Sequence, residues 1–490
     1  MIIRFEDKTG SVNINYLQSL VLMYLPCEKF AYASGDDKEF SVFADYDENK
    51  GEYTVKASLK CNNKTSEKTL CQKKDENNSS QGKNLVGKAF LECAKEIFGY
   101  LPQWGIMTGI RPAKVAVNYL DDHTEKETLK FLEKEYLVSP KRAEMCVATA
   151  VNERKLVKFS QDKSASVYVS VPFCPSKCRY CSFVSSATKK LISLIPEYLE
   201  KLYKDIEKIA EFSQKNGIKI ETVYIGGGTP AILDERQISK LLYTINNSFD
   251  SDNFKEFTFE AGRPDCTTKD KFKVIKDAHV SRLSINTQTT NDEILCSVGR
   301  KHTYADYLRC MDEAKNAGFD NINTDLIAGL PGESERSFKK SVDDIIGVAP
   351  GGITVHTFAL KKSSAFKTED AEKIDANSKI AARMINYSSK ALINNGYQPY
   401  YMYKQKNTVG NLDNTGYSKP GFECLYNIYM MGEYHTVFSA GADGSTKFVS
   451  HDRNTIKRSF SPKYPYEYLD SSKYAGFDEK GAYEFYEKYY

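Results

Sequence analysis

From Ser166 onward, short apolar runs alternate with longer stretches in which apolar residues recur every three or four positions. Side chains repeat every two residues along a strand and about every 3.6 around a helix, so the runs read as buried strands and the stretches as amphipathic helices. Six strands are predicted: Val167–Phe173, Thr222–Ile225, Glu256–Glu260, Arg282–Asn286, Asn321–Ala328 and Gly352–Phe358. The helices between them are Ile192–Gln214, Asp234–Asn247, Lys269–Asp277, Tyr304–Ala317 and Glu333–Ile346. Strand–helix alternation is the mark of a parallel sheet, and right-handed crossovers curl six such units into a partial barrel. Ligands of such sheets collect at the C-terminal ends of the strands.

The first 160 residues have another pattern. Ser41–Tyr46 and Tyr53–Leu59 alternate around the turn-like Asp47–Gly51, a predicted hairpin. Lys73–Lys83 is rich in Asn, Ser and Lys and reads as an exposed loop, and helical periodicity follows over Leu85–Phe98, Glu125–Leu137 and Arg142–Lys155. Leu101–Pro112, with Gly105, Gly109 and the sole Trp, is a shaped loop suited to packing between domains or to touching a substrate. After Phe358 come a Lys/Ser segment, a helix around Ala376–Asn394 and a Tyr-rich remainder. The expected organisation is an α+β N-terminal domain (1–160), an α/β partial (β/α)6 barrel (161–395) and a C-terminal accessory domain (396–490).

Composition narrows the function without naming it. A chain of 490 residues with 41% hydrophobic and 27% charged residues has the balance of a multidomain globular protein. A net charge of +3 gives no reason to expect nucleic-acid binding, and no apolar run is long enough for a membrane span. The N-terminus lacks signal-peptide anatomy, and twelve cysteines without an even framework do not suggest a secreted disulfide scaffold. A reducing cytoplasm is the expected location. Cys61 and Cys71 have no partner pair that would make a second metal site and read as ordinary thiols.

The chemistry is concentrated after the first strand. Pro172 ends that strand because it has no N–H for the ladder, and the following loop carries Cys174, Cys178 and Cys181. Three thiolates this close can converge on an iron–sulfur cluster or on zinc, but structural zinc takes four ligands and the loop holds no fourth Cys or His. A cubane held by three thiolates leaves one iron open for another ligand. Gly226-Gly-Gly-Thr-Pro230 follows the second strand, where missing Cβ atoms let backbone approach a ligand. The next three strands deliver Glu260, Gln288 and Asp325 toward the same mouth, side chains able to hold ribose hydroxyls or an amino group. Arg300 adds a forked cation for a carboxylate.

The C-x3-C-x2-C spacing at the end of a first strand resembles the radical S-adenosylmethionine (SAM) superfamily. The wider phrase Tyr168-x-Ser-Val-Pro-Phe-Cys174 resembles its oxygen-independent coproporphyrinogen III oxidase family, over roughly Ser166 to Gly444. The resemblance implies a [4Fe-4S] cluster on Cys174, Cys178 and Cys181, with SAM chelating the open iron and yielding a 5'-deoxyadenosyl radical. It makes Tyr168, Gly227 and Glu260 contacts of that SAM. Tyr180, Gly228, Thr229, Gln288, Arg300, Asp325 and Ala359 would contact a second SAM molecule. It further implies a tetrapyrrole substrate and a flavodoxin- or ferredoxin-like electron donor. The Tyr-rich C-terminal part resembles the family's cap over the barrel mouth, although a plain folded cap with a Tyr core is an equal reading.

The chain also departs from the family pattern. Phe183 stands where the characterised oxidase has a further Cys, and Ser170 where it has a His. The family's haem-chaperone branch carries a His-Asn-x-x-Tyr-Trp haem motif; the corresponding stretch here is Cys424–Met431, with Tyr426 for the His and Met430-Met431 for Tyr-Trp. The long N-terminal extension and Thr108–Pro112 are similar to the coproporphyrinogen dehydrogenase branch of Gram-positive bacteria. The expected activity is oxidative decarboxylation of two propionates to vinyls. A non-enzymatic haem carrier and a radical SAM enzyme with another substrate are the alternatives.

Overall fold

The computed structural model describes residues 1–10, 12–25, 28–30, 38–75, 80–157, 163–181, 187–359, 378–405 and 408–490. Phe183 lies outside them, as does most of the Lys/Ser segment after Phe358. The chain divides into two compact units, Met1–Ala150 with Lys367–Ala382 and Tyr403–Asp413, and Val151–Phe366 with Arg383–Met402 and Asn414–Tyr490.

The first unit is built on a four-stranded sheet of β1 (Ile2–Asp7), β2 (Glu39–Asp47), β3 (Glu52–Cys61) and β4 (Lys64–Lys73), in that order. β2 and β3 form the predicted hairpin, pairing Asp47 with Glu52 across the turn. Their buried alternate positions, among them Phe40, Val42, Val55 and Leu59, pack with the helix Gln81–Phe98, where Phe90 meets Phe40 edge to face at 4.8 Å. Trp104 is buried in this unit, and its indole N–H donates to Asp413 Oδ1 at 2.9 Å. Arg142 Nη1 donates to both oxygens of the same carboxylate at 3.1 and 3.2 Å. Both partners are fully buried, so Asp413→Ala takes a carboxylate away from a buried guanidinium and a buried indole N–H. We expect a loss of about 3–5 kcal/mol, read from the midpoint of urea unfolding, with Asp413→Asn losing less because it still accepts from Trp104.

The second unit carries the predicted parallel barrel. Its strands are β5 (Ser164–Val171), β6 (Lys219–Gly227), β7 (Glu256–Gly262), β8 (Arg282–Ile285), β9 (Ile322–Ala328) and β10 (Gly352–Thr357), each hydrogen-bonded in parallel to the next. Every crossover therefore advances one strand in the same direction, which is what curls the sheet. Two of the connecting helices begin at capping boxes, one formed by Asp234 and Gln237 and another by Thr303 and Asp306.

The alternation along the barrel strands is more polar on one face than a buried sheet requires. One row of each strand is mainly apolar and packs under the helices, as Val167, Val169 and Val171 do in β5. The other row is Ser166, Tyr168 and Ser170 in β5, Thr222, Tyr224 and Gly226 in β6, and Glu256, Thr258 and Glu260 in β7. Hydrogen bonds join members of this row within and across strands: Thr222 donates to Ser166, Thr258 to Glu256, Asn323 to Ser284 and Thr354 to Asn323. A hydrogen-bonded polar lumen is the form in which buried polar groups are tolerated.

The chain after Asn395 continues the same sheet. β11 (Gln398–Lys404) and β12 (Asp413–Ser418) add beyond β10, where β12 runs antiparallel. β13 (Thr436–Ala440) pairs in parallel with β5, and β14 (Ser445–Val449) and β15 (Ile456–Phe460) follow it, making eleven strands. The Tyr-rich C-terminal part thus contributes strands to both edges. No described helix is long and apolar enough to cross a membrane.

Candidate functional site

The cysteine loop is tied to its surroundings mainly by backbone. Phe173 N–H donates back to Val171 O at 2.9 Å, and its carbonyl accepts from Thr229 N–H at 2.8 Å. Gly228 N–H reaches Val171 O at 2.9 Å, and Arg179 N–H reaches Val298 O at 2.9 Å. This leaves Cys174 and Cys178 buried and Cys181 partly exposed, all three as free thiols. Burial, then the neighbouring Cys181 and Cys178, pushes the Cys174 thiol up to about 12. A cationic centre beside Cys174 would favour its thiolate. Among the described residues no three His, Cys, Asp or Glu side chains lie close enough to share one metal ion. A cubane instead gives each thiolate its own iron, and the donor set fits that larger group.

The glycine turn passes against this loop and against Glu260. A Cβ on Gly226 would stand 2.6 Å from Glu260 Oε2, and one on Gly228 would stand 2.3 Å from the Phe173 carbonyl oxygen. Gly227 has φ +114°, a backbone conformation that side chains disfavour. Thr229 is buried and donates to Ala261 O at 2.9 Å, so its hydroxyl serves β7.

At the mouth, two carboxylates are driven apart. Burial, and then the charge of Asp325, pushes Glu260 up to about 8. Burial would also raise Asp325, but hydrogen bonds from His356 and Asn323 and the His356 charge hold it below the ordinary carboxylate value. His356 Nε2 is 3.5 Å from Asp325 Oδ2, and Asn323 Nδ2 donates to Oδ1 at 2.7 Å. Such a divided pair offers one neutral and one anionic group around neutrality. A cationic ligand group near Glu260 would return it toward its anionic form. Because Glu260 holds its proton more tightly in the folded chain than in the unfolded chain, the ligand-free protein loses stability as pH rises from about 4.5 toward about 8. Glu260→Gln removes that loss. Melting temperatures of the two ligand-free proteins should therefore separate as pH rises from 5 to 8, with the variant higher; parallel curves would show that Glu260 titrates normally.

Gln288 is the strained residue of the mouth. Its φ is +76°, its N–H and C=O are fixed by Asp325 O and Ile327 N–H, and its buried Oε1 has no partner among the described residues. A left-handed non-glycine residue with an orphaned acceptor is costly unless a ligand uses it. Arg300 is also buried, but its guanidinium is largely committed: Nη1 donates to Tyr180 Oη at 2.9 Å, and Nη2 to Asn286 O at 2.6 Å and Gly262 O at 3.3 Å. In this state Arg300 and Tyr180 lock the cysteine loop to the ends of β7 and β8. Ala359 stands half-buried just past β10. Tyr168 stacks in the lumen with Tyr224 and Tyr426, whose own centroids are 4.8 Å apart. Burial holds all three phenols well above their ordinary value.

Residues 168–345 fit the Radical SAM superfamily model. Over 394 residues the chain is 34% identical to the oxygen-independent coproporphyrinogen-III oxidase-like protein HemZ of Bacillus subtilis, covering 79% of this chain and 78% of that one. This chain belongs to the radical SAM family of oxygen-independent coproporphyrinogen III oxidase-like proteins. As a radical SAM protein it is implied to use a [4Fe-4S] cluster and SAM. It is also similar to the heme chaperone HemW of Lactococcus lactis, at 32% identity over 58% of this chain and 70% of that one. Among solved structures, coproporphyrinogen III oxidase (HemN) of Escherichia coli aligns over 67% of this chain and 73% of its own, at 18% identity and a TM-score of 0.49.

The radical SAM fold makes the donor set intelligible. The orphaned Gln288 acceptor and the Asp325 carboxylate suit donors such as an amino group or ribose hydroxyls, and the missing Cβ atoms of the glycine turn let such a ligand approach. Sequence pattern did not single out Arg263, Arg282, His356 or Tyr224. Arg282 and Tyr224 were visible only as members of polar strand rows, and Arg263 only as the cation just after Glu260-Ala-Gly.

Proposed function

We propose that this protein is an oxygen-independent coproporphyrinogen III dehydrogenase, converting two propionate side chains to vinyl groups to give protoporphyrinogen IX. Each conversion removes a β-hydrogen atom, CO2 and one further electron. The cluster and SAM supply the 5'-deoxyadenosyl radical that starts the chemistry, and the protein's part is to position and to exclude water. Cys174, Cys178 and Cys181 would hold the cluster. Tyr168, Gly227 and Glu260 would hold the SAM on it, and Tyr180, Gly228, Thr229, Gln288, Arg300, Asp325 and Ala359 would contact a second SAM. For Arg300 and Tyr180 this requires their mutual hydrogen bond to open, or Arg300 to use its remaining N–H. The electron that reduces the cluster would arrive from a flavodoxin- or ferredoxin-like carrier, and the electron released by the substrate would leave to a separate one-electron acceptor.

The observation that favours the enzyme over the haem carrier is the place of Tyr426. It occupies the position of the chaperone's motif His, yet its ring is buried in the stack with Tyr224 and Tyr168. Its backbone N–H, with that of Leu425, is held by Glu256, which caps the helix Leu425–Gly432 at 3.4 and 2.6 Å. A side chain fixed in the lumen is not presented to a porphyrin iron. The test is anaerobic incubation of the iron-loaded, reduced protein with SAM and coproporphyrinogen III, following tetrapyrroles by mass. Tri- and dicarboxylate products carry the proposal. Stoichiometric haem uptake that Tyr426→Phe abolishes, without those products, would replace it with the carrier.

A further inference from the structure

β7 ends in a kink. Its pairing with β8 shifts register between Glu260 and Gly262, and Gly262 turns the chain at φ +66°. An added Cβ there would meet Thr229 Oγ1 at 2.9 Å. Beyond the kink, the short helical turn Pro264–Cys266 brings the Asp265 carboxylate back alongside Arg263. Arg263 Nε donates to Asp265 Oδ1 at 3.0 Å and Nη2 to Oδ2 at 2.7 Å, a bidentate fork. The fork aims Nη1 at the cysteine loop, where it donates to Ser176 O at 3.2 Å and to Cys178 Sγ at 3.6 Å. Arg263 is only 4% exposed.

We propose that Arg263 is a positioning residue for the electron-transfer half of the reaction, a fixed buried cation on Cys178 that raises the reduction potential of the cluster. Reduction adds one electron to the cluster, delivered by a low-potential one-electron carrier, and no proton need move because a guanidinium stays charged. Potentials of such clusters rise with positive charge nearby and with N–H donors to the ligating sulfurs, and Arg263 supplies both from one group. Asp265 does not cancel this. The pair is oriented with its guanidinium against the sulfur and its carboxylate behind, so it acts as a dipole with the positive end toward the added electron. The inference rests on the cluster assignment and not on the identity of the substrate.

This geometry gives two variants opposite signs. Arg263→Met removes the cation and leaves the carboxylate, so the cluster should become about tenfold harder to reduce, a shift of about 59 mV to lower potential for one electron. Asp265→Asn removes the opposing charge and keeps a hydrogen-bond acceptor for Nη2, so the cluster should become easier to reduce. The measurement is an anaerobic potentiometric titration of the reconstituted protein without SAM, following the paramagnetic signal of the reduced cluster. Iron content is verified for each sample. Shifts of opposite sign support the proposal; equal potentials, or shifts of the same sign, overturn it by showing that the pair only shapes the loop. Should Arg263→Met fail to take up its iron, Arg263→Gln carries the same comparison. Failure of both to assemble a cluster, with helical content intact, would equally overturn the proposal. A wild-type protein that assembles no cluster would instead defeat the functional reading itself.

Discussion

Cys178→Ala is expected to abolish the iron–sulfur absorption of the anaerobically reconstituted protein and with it all reductive SAM cleavage, while the fold persists. Cys178 is the middle thiol of the loop, and it is the one that also receives the Arg263 N–H. Two thiolates can hold only part of a cubane whose fourth iron is already given to another ligand. The fold should survive because Cys178 is a small side chain on a loop whose position is set by backbone hydrogen bonds at Phe173 and Arg179. Iron and sulfide analysis with far-UV circular dichroism checks both halves. Retention of a stoichiometric cluster would remove Cys178 from the ligand set.

Gly228→Ala is the second large effect, and it separates packing from ligation. Its added methyl would lie 2.3 Å from Phe173 O and 2.8 Å from Phe173 C and N, all backbone atoms. That backbone cannot yield freely, since Phe173 O already holds Thr229 N–H and Gly228 N–H holds Val171 O. The clash must push the cysteine loop away from the glycine turn. We expect about 1–3 kcal/mol of lost stability and at least about a tenfold fall in SAM cleavage, because an ångström of misplacement is amplified at a reacting centre. Gly347→Ala is the control, since its Cβ meets nothing within 4 Å and it lies in the helix Glu335–Val348. Replacing that helical glycine should leave both quantities unchanged or slightly improved. Equal behaviour of the two variants would show that the Gly228–Phe173 contact is not what places the loop.

Much of this site can be read along the chain because the signals are local. The cysteine spacing, the glycine run and the strand ends at Glu260, Gln288 and Asp325 each lie within one short segment. The barrel is legible for the same reason, as its helices carry their own caps and its strands their own alternation. What could not be read depends on residues far apart in sequence. Arg300 looks like a free clamp until its bond to Tyr180, 120 residues away, is seen. Tyr426 looks like a substitute haem ligand until its ring is found between strands near residues 168 and 224. The C-terminal strands could not be placed from sequence because their pairing, such as β13 with β5, joins residues some 270 positions apart, as in Thr436 with Ala165. The positive φ of Gln288 has no sequence signal, since glutamine has no preference for that conformation.

Under the proposed function the protein would remove a propionate β-hydrogen by radical SAM chemistry. The most direct measurement supplies coproporphyrinogen III deuterated at the propionate β-carbons to the reduced, cluster-loaded protein with SAM, and weighs the 5'-deoxyadenosine and the tetrapyrrole together. Deuterium is expected in the 5'-deoxyadenosine, with one labelled molecule for each vinyl group formed. Unlabelled 5'-deoxyadenosine with all four propionates intact would contradict it, leaving a radical SAM protein that acts on something else.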